Sequence, residues 1–335
     1  MKVFTYTAAD LGWNKLPAGR LRFDNIDVED WIQGRVTDAE LIAEQKRSDI
    51  THTRNPDEAD AIVVPPGLVA LREGGLYPHQ LRYMNGRGHK HVFFDIKDDW
   101  TVFPEHEPKK SIFLRCNLTN AMIDVNPNSR IFNWPIQVPD WVDIAPPDLS
   151  KIAFDISFHG WRSSEVCMAV VDAVRKEFPA DRLDFKEHPN FWGYMPPGKE
   201  KQEMFDAHRQ SIARSLIILS PASLTQQMGA VCGYGATIRY RAYEAMCAGR
   251  VFCHVGSGHP WPRPNIIPWQ DFSIRYEEKD AQRVGVWLRE FVDNHSPEQI
   301  LRMGTIGKLF YTGHLNPDHW PQMWRDMVKE IIGCA

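Results

Sequence analysis

The sequence contains no uninterrupted apolar stretch near the roughly 20 residues that a membrane-spanning helix needs. Its first residues, Met1-Lys2-Val3-Phe4-Thr5-Tyr6, run straight into a strand-like segment without the features of a signal peptide. A cytoplasmic protein with no membrane span is the expectation. Cysteine is scarce: the six (Cys116, Cys167, Cys232, Cys247, Cys253 and Cys334) form no C-x-x-C pair and no framework spacing. That excludes a disulfide-built scaffold and agrees with a reducing compartment. Neither sign of charge dominates. The formal net charge is −4, so no global basic field draws the chain to nucleic acid or anionic lipid.

Several catalytic signatures are missing as well. The 13 histidines include no H-E-x-x-H, and no Cys/His cluster has ligand spacing, so no metal is expected. Asp95, Asp98 and Asp99 form one short acidic cluster, of a kind that is usually solvated. No G-x-G-x-x-G follows a strand. Gly229, Gly233 and Gly235 have the wrong spacing and follow a long loop, which argues against a nicotinamide site. The G-x-S-x-G elbow and the P-loop are absent, so nucleophilic hydrolysis has no support.

What is present is an ordinary globular balance of 24% charged and 43% apolar residues, spread over 335 residues. That length suits two domains better than one core. The 12 tryptophans and 24 prolines are high counts; aromatic faces suit sugar rings, although most tryptophans serve packing. Apolar runs rich in β-formers predict strands at Lys2–Tyr6, up to Val64 after an Asn55-Pro56 turn, at Lys90–Ile96, Ser111–Arg115 and Arg130–Trp134, then at Lys151–Phe158, Leu183–Lys186, Leu216–Ser220 and Arg250–Val255. Helical spacing and caps predict helices at Thr37–Arg47, after Ser163-Ser164 through Glu177, at Lys199–Ser215 and Asp280–His295, from Ser296-Pro297, and at Asn316–Ile332. Trp134–Pro147 holds four prolines and no periodicity, and reads as a linker. The expected organisation is α/β: a first domain over 1–140, a second over 148–315, and a terminal helix over 316–335.

The chain is organised around Gly233–Pro260. A glycine-spaced loop leads to Thr237 at a helix N-cap position. Ile238, Ala242, Ala245, Met246 and Gly249 then fall on one helical stripe, with Arg241 and Glu244 three apart on its flank. Together with the strand before and the strand after, this is a βαβ unit, whose ligands bind beyond the carboxyl ends of the strands. Ser220 and Pro221 lie at such an end. Arg241, with Arg239 in reserve, offers a planar fork for a diphosphate near a helix N-terminus, and Glu244 offers an acceptor for ribose hydroxyls. The plain alternative is a helix-surface ion pair between Arg241 and Glu244. A second anion contact is expected where His159, Gly160 and Arg162 precede a helix, with a simple Ser cap as its alternative.

These segments resemble the exostosin family of glycosyltransferases. Arg241-Ala242-Tyr243-Glu244-Ala245 with Gly249 stands in that family's R-x-x-E-A pattern. Ile267–Ile274 is similar to its W-x-x-F-S segment, with acidic Glu277, Glu278 and Asp280 following, and Ser215–Pro221 to its strand ending in Pro. Near the start, Asn55-Pro56-Asp57-Glu58-Ala59-Asp60 leading into an apolar strand looks like its D-P-x-x-A-D run, with Asn55 in place of the first Asp. The match covers about residues 205–295 and is faint elsewhere. It implies the GT-B fold, two Rossmann-like domains facing a cleft with the terminal helix crossing back to the first, and inverting transfer from a nucleotide sugar, most simply a UDP-sugar, to a glycan hydroxyl, with no metal or other cofactor. The donor would sit on the second domain, and the first would supply a general base. Asp98, Asp95 and Asp10 follow strand ends there, with His52 and His89 behind them. Alternatives are a phage-type transferase acting on hydroxymethylated DNA bases, and a non-catalytic glycan- or nucleotide-binding protein of the same fold.

Overall fold

Strict alternation builds the first sheet. In the computed structural model, which describes residues 1–14, 50–65, 68–95, 110–115, 130–133, 148–161, 164–188, 196, 198–221, 240–256 and 261–333, six parallel strands lie in the order β2-β1-β3-β4-β5-β6. They are β1 (Lys2–Thr5), β2 (Thr51–His52), β3 (Ala61–Val63), β4 (His91–Asp95), β5 (Ile112–Arg115) and β6 (Arg130–Asn133). Val3, Ala61, Val63, Val92, Ile112 and Leu114 face one way. Phe4, Ile62, Phe93 and Phe113 face the other, where Leu71 of α1 (Leu68–Glu73) joins them. A strand buried on both faces is what a parallel sheet requires. The predicted helix at Thr37–Arg47 and the linker at Trp134–Pro147 lie outside the described residues.

The second sheet is also parallel, ordered β11-β10-β9-β7-β8. Its strands are β7 (Phe154–Trp161), β8 (Leu183–His188), β9 (Ser215–Pro221), β10 (Val251–Gly256) and β11 (Ser273–Glu277). β7 begins later than the sequence suggests. Asp148 caps a short turn at Leu149–Lys151 by accepting from the Ser150 N–H at 3.1 Å, and pairing with β8 carries the strand on to Trp161. For the same reason β8 continues to His188. β11, an edge strand with a half-polar pattern, has no clear signal in the sequence.

Between the strands run α2 (Glu165–Glu177), α3 (Lys199–Ala213) and α4 (Tyr240–Cys247), and after the last strand come α5 (Val284–Asn294) and α6 (Pro297–Phe310). Three of them begin or end for a local reason. Ser164 caps α2 by accepting from the Cys167 N–H at 3.0 Å, and Ser296 with Gln299 forms a capping box on α6. Gly249 ends α4 at φ +69°, with the Arg250 N–H donating to Ala245 O at 2.8 Å. Cys167, Val170, Val171 and Val174 of α2 meet Ile156 and Phe158 of β7 and Leu288 of α5 in one apolar layer. α3 and α4 pack on β7, β9 and β10. The chain divides into two compact units, one of Met1–Leu118, Met122–Trp134 and Asn316–Ala335, the other of Thr119–Ala121 and Pro135–Leu315. The final helix α7 (Trp320–Ile332) belongs to the first unit, where Met323 is fully buried beside Val3 and Ala61.

α4 corrects the expected single stripe. Ala242 through Cys247 are all buried, so this helix is enclosed on every side. Its far end is held by Arg250, 2% exposed. That guanidinium donates to Ile212 O (3.1 Å) and Ala213 O (2.7 Å) at the end of α3, and to Ala248 O (3.1 Å) and Gly249 O (3.3 Å) past the end of α4. Burial lowers its pKa to about 10, which leaves it charged at neutral pH. Two helix C-termini thus share one cation for carbonyls that have no helical partner. Arg250→Met keeps the apolar stem and strands those carbonyls. It is expected to lower unfolding free energy by about 3 kcal/mol in urea titrations. A loss below about 1 kcal/mol would show that the carbonyls find other donors.

Candidate functional site

Chain order creates a crevice in the second sheet. From β7 the chain adds β8 on one side, then returns to place β9 on the other. Such a reversal leaves a gap beyond the carboxyl ends of the two strands, where open α/β sheets bind ligands. β7 pairs with β9 through Ser157↔Ile218, and both strands continue past that pair. Their ends carry His159, Gly160 and Trp161 on β7, and Ser220 and Pro221 on β9. The sequence prediction of Ser220 and Pro221 at a strand end, and of a helix following, matches this placement.

Arg241, in the first turn of α4, reaches into this end of the sheet. Its Cζ lies 5.3 Å from the centre of the Phe158 ring, a cation–π distance. Its guanidinium lies along Gly160, is attracted by the Glu244 carboxylate and lies near Cys167. Cys167 is in the first turn of α2, so the Arg241 cation and a helix N-terminus share one corner. His188 stands at the end of β8. Burial first, then Lys186, His159, Arg241 and His208, lower its pKa to about 4.

Glu244 does not lie on an exposed flank. It is 3% exposed, and its Oε2 accepts from His208 Nε2 of α3 at 2.9 Å. Burial alone would raise its pKa, but His208 and Arg241 hold it below the ordinary value of 4.5. A plain helix-surface pair is therefore excluded. His208, 1% exposed, has its own pKa lowered by burial, against the pull of Glu244. Its ring lies 6.0 Å from that of His159. His159, expected in a loop, sits in β7 with Nε2 donating to Asp184 Oδ1 at 3.1 Å. Arg241, Glu244, His159 and Gly160 are thus brought together, and His208 and Asp184 join them. The sequence carried one signal for His208: it shares the buried face of α3 with Met204, Ser211 and Ile212, a histidine within an apolar stripe.

On the β9 side, the Ser220 carbonyl accepts from His254 Nδ1 of β10 at 2.8 Å. His254 is fully buried against Trp261, ring centres 5.7 Å apart. Thr237, Arg239 and Arg162 lie outside the described residues. So does Asp98. Asp95 closes β4 opposite Arg115, at the carboxyl end of its strand. Asp10 follows β1, beside the reversal in the first sheet between β1 and β3. Its carboxylate accepts from Thr7 N–H (3.0 Å), Thr7 Oγ1 (2.8 Å) and Tyr83 OH (3.0 Å), which are the bonds of a turn cap joined to a tyrosine anchor. His89 precedes β4 and lies at its amino end, and His52 is buried in the edge strand β2. Among the described residues no three His, Cys, Asp or Glu converge as a metal would need, and no helix is long and apolar enough to cross a membrane. Cys167, Cys247 and Cys253 are buried.

The His208–Glu244 pair sets a pH dependence. The folded pKa of His208 lies below the ordinary 6.5. As pH falls through 6.5 the unfolded chain therefore takes a proton that the folded chain refuses, and stability declines. Below the ordinary carboxylate range Glu244 adds a further loss in the same direction. His208→Gln retains a donor toward Glu244 and does not titrate. Between pH 7 and 5 its urea-unfolding free energy is expected to fall less steeply than wild type, by up to about 1.4 kcal/mol per pH unit. Identical slopes would remove His208 from the account.

No family model matches the sequence, and no curated protein matches it. Solved structures with a similar course of the chain include HepE of Anabaena in complex with UDP-glucose, at 9% identity over 98% of this chain and 99% of that one, with a TM-score of 0.43. A glycosyltransferase from Rickettsia africae follows at 11% identity over 100% and 99%, with a TM-score of 0.42. AviGT4, a glycosyltransferase involved in avilamycin A biosynthesis, is similar at 10% identity over 100% and 98%, with a TM-score of 0.39.

Proposed function

We propose that the protein is a glycosyltransferase of the GT-B type that moves a sugar from a nucleotide sugar, a UDP-sugar, to a hydroxyl on a glycan. The observation that carries this reading is the Arg241 guanidinium, held at the carboxyl end of β7 over Phe158 and Gly160, beside the capped start of α2. A fixed cation and a helix N-terminus at a chain-reversal crevice suit the diphosphate of a donor. As the glycosidic bond to the donor breaks, negative charge grows on the leaving diphosphate, and preformed positive groups stabilise it without reorganising. Glu244, braced by His208 through Oε2, is proposed to accept ribose hydroxyls with its other oxygen. The resemblance of Arg241–Ala245 and Ile267–Ile274 to exostosin segments supports the same chemistry.

Inversion at the anomeric carbon is part of the proposal. It needs one base to take the acceptor proton as the acceptor oxygen attacks. The base is assigned to the first unit, with Asp98 first, then Asp95 and Asp10. Asp10 already accepts three hydrogen bonds, from Thr7 twice and from Tyr83.

Incubation of the purified protein with UDP-sugars and glycan acceptors, read by mass spectrometry and by NMR of the new anomeric centre, tests the whole reading. Transfer with inversion is expected, and donor turnover with no acceptor product of either configuration would refute it. In calorimetric titrations of UDP, Arg241→Lys and Glu244→Gln are each expected to raise Kd about tenfold, near 1.4 kcal/mol. A Glu244→Gln protein that binds UDP normally but melts early assigns that carboxylate to the fold alone. Asp98→Asn is expected to abolish transfer while UDP affinity stays within about twofold of wild type. Near-normal transfer by Asp98→Asn moves the base to Asp95 or Asp10.

A further inference from the structure

We infer that Gly160 is a positioning residue for Arg241: the side chain missing at the end of β7 is the space that the guanidinium occupies. This deepens the donor-binding reading above and depends on it for its link to function.

Three observations meet here. A Cβ built on Gly160 would overlap Arg241 Nη2 and stand 2.8 Å from Cζ and 3.4 Å from Nε. Its three nearest atoms all belong to Arg241. Next, Gly160 is not among the glycines with positive φ (Gly12, Gly75, Gly86, Gly249 and Gly333), so the backbone at this point accepts any residue. The glycine serves space, not conformation. Finally, alternation along β7 puts Gly160 on the same face as Phe158, and the guanidinium lies over that ring at 5.3 Å. Phe158 thus forms the floor of the seat and the bare Gly160 backbone its wall. Cys167 in the first turn of α2 lies near the cation.

The consequence is specific. The group that collides with a new Cβ is the far end of a flexible side chain, so the sheet has no reason to deform. Arg241 has to leave its seat instead. It then gives up the fixed orientation that a two-point grip on phosphate oxygens needs. Gly160 thereby controls anion binding without touching the anion.

The seat has a readout that needs no ligand. A guanidinium above an aromatic face is shielded by the ring current, so the Arg241 Nε–H resonance, assigned by its absence in Arg241→Lys, is expected upfield of the other arginines. In Gly160→Ala it is expected to move to the ordinary arginine position. An unmoved resonance in Gly160→Ala overturns the inference. The link to function is read by UDP calorimetry on Gly160→Ala, Arg241→Ala and the double variant. Gly160→Ala is expected to raise Kd about tenfold alone and less than about twofold in the Arg241→Ala background. Equal effects in both backgrounds, or wild-type affinity in Gly160→Ala while Arg241→Ala binds weakly, overturn the coupling. If Arg241→Ala itself leaves UDP affinity unchanged, the donor reading fails, and the resonance alone decides the seat. Should Gly160→Ala not fold, the double variant is expected to fold, because Arg241→Ala removes the only colliding atoms among the described residues; a double variant that also fails overturns the seat.

Discussion

The second unit depends on one buried cation. Arg250 gathers the last carbonyls of α3 and the carbonyls just past α4. Helix ends concentrate partial negative charge on acceptors that lack helical donors. A single guanidinium with several N–H groups in a fixed fork satisfies both sets at once. By tying these two ends it fixes the two helices against each other on one face of the sheet. The meeting of His208 from α3 with Glu244 from α4, at 2.9 Å and almost without solvent, follows from that arrangement. Arg250 itself is not in the crevice, yet it determines which side chains meet there.

From that tie a polar network extends through an otherwise apolar layer. Glu244 is charged, buried and paired with a neutral histidine, while Arg241 contributes a second attraction from the same helix. His159 and Asp184 form a parallel pair between β7 and β8. Burying such groups costs free energy unless partners compensate, and two His–carboxylate pairs supply partners here. Arg241 adds a fixed cation at the carboxyl end of the sheet. A site of that sign, backed by rigid strands and a capped helix, needs little rearrangement to receive an anion.

The first sheet was largely legible as sequence. Val3, Val63, Val92, Ile112 and Leu114 alternate with Phe4, Ile62, Phe93 and Phe113, and apolar runs of this length between turns leave few other choices. The capped helices were legible too, because Ser164 and Ser296 act on N–H groups within three residues. Less visible were β2 and α1, which are too short for periodicity to register, and β11, whose edge position leaves half its residues polar. Arg250 read as the first residue of an apolar strand. Nothing local distinguishes a buried arginine that caps helices from one that ends in solvent.

By itself, then, the sequence determined two parallel α/β halves, the order of most strands and helices, Arg241 and Glu244 on one helix, and His159 and Gly160 at the end of a strand. These follow from interactions within a few positions of each other. Only the tertiary structure decided what those residues do to one another. Glu244 bonds to a histidine 36 positions away, His159 to an aspartate 25 positions away, and Gly160 yields its space to a side chain from another helix. Such contacts are set by the order in which strands join the sheet and by the packing of helices across it. Residue spacing along the chain carries no record of either.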